Sequence, residues 1–353
     1  MTKPIRVLVC DDSQTIHTLM RQVLGTCSDL EISGFAKNGQ EAIRSIRASR
    51  PDILLLDIEM PVMNGLETLT ALRKFDRTLP VICFSTLTRE AGPTTLEALE
   101  RGANDYVGKP KGGESLKASL EMVRGELIPR ILALASHGRR PPVRSSQSQK
   151  RPIRALAIGA STGGPKVLMD LVQEFPRPFP VPILIAQHMP ATMTPVFAKR
   201  LGELSGMDSC EGRDGQTLEA DKIYLAPGDY HMTISRNRIR LDQSPKVHHC
   251  RPAVDVLFHS LAREFGSAVV AAVLTGMGTD GGAGAKAIAE KGGRILAQDR
   301  ETSTVYGMPR AVVEAGIADK VVPIQNMAKA LTECVKQGTK PSATTTARGV
   351  RVA

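Results

Sequence analysis

The chain has 353 residues, 42% hydrophobic and 23% charged, and at that length two hydrophobic cores are expected in place of one. No uncharged apolar run approaches the roughly 18 residues of a membrane span, and the start, M-T-K-P-I-R-V-L-V-C-D-D, meets two aspartates too early for a signal peptide, so direct membrane insertion is excluded and a cytoplasmic location expected. The net charge is +10, but part of the excess sits in one segment (Arg139, Arg140, Arg144, Lys150, Arg151, Arg154), and with no tryptophan and 3% aromatics no nucleic-acid partner is expected.

From residue 5 to about 134, short apolar runs alternate with helical periodicity. The strands predicted are Ile5 to Val9, Leu30 to Ala36, Ile53 to Leu56, Val81 to Phe84 and Asp105 to Val107, each followed by a helix. Five such units make a five-stranded, parallel, doubly wound α/β domain. Its last helix, Glu114 to about Ala133, runs into the Pro- and Ser-rich basic stretch S-H-G-R-R-P-P-V-R-S-S-Q-S-Q-K-R-P, which reads as a linker. A second α/β series follows on R-A-L-A-I-G-A, P-I-L-I-A-Q-H, K-I-Y-L-A-P, A-V-V-A-A-V-L-T-G and G-R-I-L-A-Q-D. Within it, H-M-T-I-S-R-N-R-I-R-L reads as a hairpin turning at Arg236-Asn237, so this mostly parallel sheet is expected to carry a hairpin at one edge. The organisation expected is a first domain over 1–125, helix end and linker over 126–152, a second domain over 153–338, and a disordered tail over 339–353. Six cysteines without C-x-x-C spacing indicate neither a zinc site nor a disulfide framework, and buried thiols are expected.

Asp11 and Asp12 follow the first strand and Asp57 follows the third, so a parallel sheet brings three carboxylates to one edge. Clustered carboxylates repel without a cation, and hard oxygen ligands favour Mg²⁺. Lys109 after the fifth strand is placed to pair with a phosphoryl group on Asp57, and Ser85 after the fourth offers it a hydroxyl. Any one of these residues would serve equally as a turn or cap. Together with D-I-E-M-P-V-M-N-G, F-S-T and G-A-N-D-Y-V-G-K-P, residues 1 to about 125 resemble the response-regulator receiver family. The resemblance implies phosphorylation of Asp57 by a histidine kinase, Asp11, Asp12, Asp57 and the Glu59 carbonyl around Mg²⁺, and Ser85 and Tyr106 as switch residues.

G-A-S-T-G at 159–163 matches the G-x-S-x-G nucleophile elbow, preceded by the strand that the elbow requires. A P-loop is disfavoured, since Pro165 interrupts the motif and Val167 stands where the magnesium-binding hydroxyl belongs. His188 ends the strand P-I-L-I-A-Q on the same edge and is the base candidate, while Asp280, after the strongest apolar strand, completes a Ser-His-Asp set. A rival reading comes from G-M-G-T-D-G at 276–281, which matches a dinucleotide-binding fingerprint with Asp299 about 20 residues on. A non-enzymatic receptor adaptor is the other alternative.

A-I-G-A-S-T-G-G-P, I-A-Q-H-M-P, I-Y-L-A-P-G-D-Y-H-M, R-P-A-V-D-V-L-F and L-T-G-M-G-T-D-G together make residues 153 to 337 resemble the chemotaxis protein-glutamate methylesterase (CheB-type) catalytic domain. That resemblance implies Ser161 as nucleophile, His188 as general base and acid, and Asp280 as its orienting partner, without a cofactor. Its substrates would be glutamate γ-methyl esters on chemoreceptor helices, releasing methanol, with certain receptor glutamines deamidated as well. Backbone N–H groups of Thr162 and Met277 are the oxyanion-hole candidates. Ala253 departs from the family, where serine is commoner. With a switch domain tethered to a serine site, the unphosphorylated receiver is expected to pack over the catalytic edge and restrict access.

Overall fold

A computed structural model describes residues 3–86, 91–110, 116–135 and 152–339. The linker with His137 and the tail beyond 339 lie outside the described residues.

The first domain runs β1 (Ile5–Cys10), α1 (Gln14–Leu24), β2 (Leu30–Ala36), α2 (Gly39–Ala48), β3 (Ile53–Leu56), α3 (Gly65–Arg73), β4 (Val81–Ser85), α4 (Gly92–Glu100), β5 (Asp105–Gly108) and α5 (Leu116–Ala135). Its sheet is parallel in the order β2-β1-β3-β4-β5. The central strand I-L-L-L is buried on both faces, as helices above and below a parallel sheet require. The strand order reverses between β1 and β3, and the crevice at their carboxyl ends receives Asp11, Asp12 and Asp57. Asn64 opens α3 with a capping box closed by Glu67. A Cβ on Gly65 would lie 2.4 Å from the Asp57 carbonyl oxygen, so only glycine lets α3 start this close to the acceptor strand.

The second domain contains β6 (Ala155–Ala160), α6 (Gly164–Gln173), β7 (Ile183–Gln187), α7 (Thr194–Ser205), β8 (Asp208–Glu211), β9 (Lys222–Leu225), β10 (His231–Ser235), β11 (Arg238–Asp242) and α8 (Val254–Phe265). It continues with β12 (Val269–Val273), α9 (Gly282–Glu290), β13 (Arg294–Gln298), α10 (Met308–Glu314), β14 (Lys320–Val322) and α11 (Ile324–Thr339). Seven parallel strands stand in the order β14-β13-β12-β6-β7-β9-β8. From β6 the chain builds outward through β7 on one side and later through β12 on the other, so the switch point lies at β6. The antiparallel hairpin β10-β11 turns at Arg236-Asn237, both at positive φ, as a two-residue turn matched to strand twist demands. It forms its own two-stranded sheet beside the main one, with Ile234 N–H held by the Ser260 hydroxyl of α8.

The domains are packed together through α4, which lies on α6 and α7. One buried apolar cluster runs from Leu96 and Leu99 of α4 to Met193, Phe197 and Ala198. Glu100 and Arg200 form a two-pronged ion pair across the seam, at 2.7 and 3.1 Å. Val305, in the loop between β13 and α10, is buried in the receiver cluster that holds Val107, Val123 and Ile131.

Candidate active site

Each triad candidate stands just beyond a strand. Ser161 follows β6, His188 follows β7, and Asp280 lies in the loop that β12 sends to α9. His188 Nδ1 lies 3.0 Å from Ser161 Oγ, and its Nε2 lies 2.7 Å from Asp280 Oδ2. A continuous hydrogen-bonded chain therefore runs serine to imidazole to carboxylate, with Nδ1 facing the serine.

Asp280 is 1% exposed, and its two carboxylate oxygens accept from four donors. Val254 N–H and Asp255 N–H, the first amides of α8, donate to it at 2.7 and 2.8 Å, and Gly281 N–H donates at 2.9 Å. Burial works against the charge, but the hydrogen bond and charge of His188 and the α8 amides outweigh it and hold the carboxyl below the usual range. Ala253 caps α8 without a side-chain hydrogen bond, so the departure from serine leaves capping to Asp280. Burial pulls His188 down, whereas the hydrogen bond to Asp280, that to Cys250 and both partners' charges raise it to about 9. The imidazole is thus a strong base whose protonated form is stabilised.

Glycines shape the elbow. Gly163 adopts φ +75° at the N-cap of α6, where a Cβ would collide with Thr304, and Pro165 sits in the helix's first turn. A Cβ on Gly276 would lie 2.8 Å from Ser161 Cβ. The G-M-G-T-D-G loop is therefore used for close approach to the serine, and its Asp280 is consumed by His188 and α8. Asp299 is likewise engaged, accepting from Thr302 N–H at 3.0 Å. Both findings remove the dinucleotide reading of this segment.

Thr162 is buried and Met277 is 38% exposed at the rim. Among the described residues no hydrogen bond engages either backbone N–H, which leaves both donors free for an oxyanion. Thr275 Oγ fixes the spacing between their loops, donating to the Thr162 carbonyl at 2.9 Å. A cavity of about 730 Å³ lined by Pro195, Tyr230 and Leu241 lies elsewhere, between α7, β8 and the hairpin, and none of the triad lines it. The chemistry is thus placed on a sheet edge and not in that cavity.

Three groups escaped the sequence reading. Gln187 donates through its amide to the carbonyls of Ser161 and His188, at 2.9 and 3.0 Å, tying nucleophile and base backbones together. The Thr162 hydroxyl reaches the buried Asp105 carboxyl of the receiver, which also pairs with Arg130 at 3.0 Å. The third is Cys250, whose Sγ lies 3.3 Å from His188 Nδ1. The expectation of buried thiols holds for Cys10, Cys83 and Cys334, whereas Cys27, Cys210 and Cys250 are partly exposed. The contact of Cys250 with His188 spans 62 residues of chain and leaves no local sequence signal, whereas the position of Gln187 beside His188 offered one.

In the receiver, Asp11, Asp12 and Asp57 place carboxylate oxygens within 4.8 Å of one another. Lys109 Nζ lies 2.8 Å from Asp11 Oδ2 and 2.7 Å from Asp57 Oδ2. Burial raises the Asp57 carboxyl and Lys109 only partly offsets it. Three carboxylates, those of Asp11 and Asp57 buried, converge on one lysine, a surplus of negative oxygen donors that fits a hard cation. Glu59 is exposed and its side chain lies outside the cluster, which leaves its carbonyl as the group it could offer. Ser85, 5% exposed, pairs along the strand with Gly108, and Tyr106 is 7% exposed.

Comparison with known proteins decides the lineage. The family model for the response regulator receiver domain matches residues 7–121, and that for CheB methylesterase matches residues 156–331. A protein-glutamate methylesterase/protein-glutamine glutaminase of a Nocardioides species is 44% identical over 339 residues, spanning 91% of this chain and 92% of its own. The chain belongs to the CheB methylesterase family. A similarly named relative from Pyrococcus horikoshii is 39% identical, with 95% of both chains covered. The solved CheB methylesterase catalytic domain of Thermotoga maritima covers 51% of this chain and 98% of its own, with 39% identity and a TM-score of 0.50. The match to these named relatives thus spans both domains of this chain.

Proposed function

We propose that this protein is a phosphorylation-activated esterase that demethylates glutamate γ-methyl esters on chemoreceptors, and that the same site deamidates receptor glutamines. The observation that carries the reading is the hydrogen-bonded chain Ser161–His188–Asp280 on a sheet edge against which a receiver is docked. Domain limits of 1–125, 126–152 and 153–338 and a cytoplasmic site of action are part of the proposal. Among the described residues no helix is long and apolar enough to cross a membrane.

In the reaction, His188 Nδ1 takes the Ser161 proton as Oγ attacks the ester carbonyl. The resulting oxyanion is held by the N–H groups of Thr162 and Met277. Collapse expels methoxide, which receives the proton from His188 and leaves as methanol. Water, deprotonated by the same imidazole, then releases glutamate. With a glutamine side chain the group that leaves is ammonia. Asp280 stabilises the imidazolium in both halves and stays ionised.

Asp11, Asp12, Asp57 and the Glu59 carbonyl would hold Mg²⁺, whose charge offsets that of the incoming phosphodonor. A histidine kinase of the chemotaxis type would supply the phosphoryl group. Lys109 would then exchange its carboxylate partner for a phosphoryl oxygen, drawing Ser85 and Tyr106 into the change. Tyr106 adjoins Asp105, whose carboxyl meets Thr162 beside the nucleophile, so this strand offers a short route from phosphorylation to the elbow. Ser161→Ala should abolish methanol release from methylated receptor membranes. Retained turnover would refute the assignment.

A further inference from the structure

Cys250 Sγ and Ser161 Oγ share one acceptor. With Nε2–H given to Asp280, His188 Nδ1 has a single lone pair, and the two groups lie 3.3 and 3.0 Å from it. When the thiol is the donor the base is withheld from the serine. When the proton crosses fully, a thiolate stands beside an imidazolium braced by Asp280, the Cys-His arrangement that activates sulfur nucleophiles.

The thiol is held there by built backbone. Val247 and Cys250 exchange two hydrogen bonds, at 3.1 and 2.9 Å, around His248 and His249, both at positive φ in a tight two-residue turn. On the other side Arg251 is pinned by Asp229 at 2.6 Å and by the carbonyls of Gln243 and Ser244. Cys10, Cys83 and Cys334 are buried; Cys27 and Cys210 share the partial exposure of Cys250, but among the described residues Cys250 is the cysteine that meets an imidazole nitrogen.

We propose that Cys250 is an oxidisable second nucleophile of the esterase centre, and that its conversion to a sulfenic acid by a hydroperoxide silences the enzyme. The thiolate sulfur attacks one peroxide oxygen; the S–O bond forms as the O–O bond breaks. Sulfur gives up two electrons, and the departing hydroxide or alkoxide takes the His188 proton and leaves as water or alcohol. The new sulfenic O–H projects toward Nδ1 and occupies the lone pair that Ser161 needs. A thiol reductant reverses the step, first forming a mixed disulfide with loss of water and then, with a second thiol, regenerating Cys250.

The inference rests on His188 serving as the esterase base, so the test has an arm independent of turnover. Full-length protein activated with a phosphodonor is exposed to hydrogen peroxide and divided: one aliquot is trapped with dimedone and mapped by mass spectrometry, and in the other, free of dimedone, methanol release is followed as a fraction of that sample's own untreated rate before and after dithiothreitol. The expected result is a tenfold or greater loss that dithiothreitol reverses, with dimedone on Cys250 and none on Cys10, Cys83 or Cys334. Cys250→Ser should keep most of its own starting rate under the same exposure. Equal loss in Cys250→Ser, or inactivated wild type without dimedone on Cys250, would overturn the proposal. If Cys250→Ser has no starting rate, the wild-type map and the dithiothreitol recovery decide. An untreated wild type that releases no methanol refutes the esterase reading alone, since the map still reports on Cys250.

Discussion

Replacing Asp280 by Asn tests the catalytic geometry with little change of volume. The carboxylate accepts from His188 and from three backbone amides, so both oxygens are surrounded by donors. An asparagine has one oxygen and must turn its NH₂ either toward His188 and Val254 N–H, which share Oδ2, or toward Asp255 N–H and Gly281 N–H, which share Oδ1. Facing His188, it forces the tautomer that protonates Nδ1 and removes the base from Ser161, a change that costs about 10⁴ in kcat where a triad is used. Facing Asp255 and Gly281, it leaves their two amides opposed by a donor, at about 1–3 kcal/mol, which for a domain of this size lowers Tm by several degrees. The assay is methanol release from methylated receptor membranes, read beside thermal unfolding. Activity within tenfold of wild type together with an unchanged Tm in Asp280→Asn would refute the reasoning.

Because His188 is held up at about 9 and must be neutral to act as base, kcat/KM should rise about tenfold per pH unit below that value. A midpoint near the ordinary histidine value of about 6.5 would contradict this cause. Arg200→Glu replaces the ion pair across the seam with a carboxylate facing Glu100 and adjoining Glu203. The exposed pair contributes about 1 kcal/mol at most, so the unphosphorylated rate should rise up to about fivefold while the phosphorylated rate stays put. An unchanged unphosphorylated rate would argue that this contact does not restrain the receiver. Asp57→Asn, or EDTA added before the phosphodonor, should abolish stimulation and leave the basal rate, as comparison of the two rates will show.

The receiver was legible because Asp11, Asp12, Asp57 and Lys109 stand just beyond strands, and a parallel sheet carries strand ends to one edge whatever lies between. Asp11, Asp57 and Lys109 could be placed that way without a contact in view. The strands themselves were also legible, since I-L-L-L and V-V-A-A-V are buried on both faces and carry no competing helical period. The short edge strands β8 and β14 were not anticipated. D-S-C-E and K-V-V are half polar and partly exposed, and only pairing with a neighbour makes them strands. Ser161 and His188 could be read from position, but G-M-G-T-D-G around Asp280 fits two chemistries equally well as a string. Packing against Ser161 and α8 separates them. Cys250 was hidden for a related reason, because a thiol becomes chemical through its neighbour, and His188 arrives from the end of β7, 62 residues away in the chain.

The central claim joins a phosphorylation switch to a serine esterase, and one measurement reads both. Methanol release from methylated receptor membranes is followed for the full chain with and without a phosphodonor, with Ser161→Ala in parallel. The account predicts a low basal rate, a clear increase on phosphorylation, and no release from the serine variant in either state. A rate that ignores the phosphodonor, or methanol released by Ser161→Ala, would contradict it.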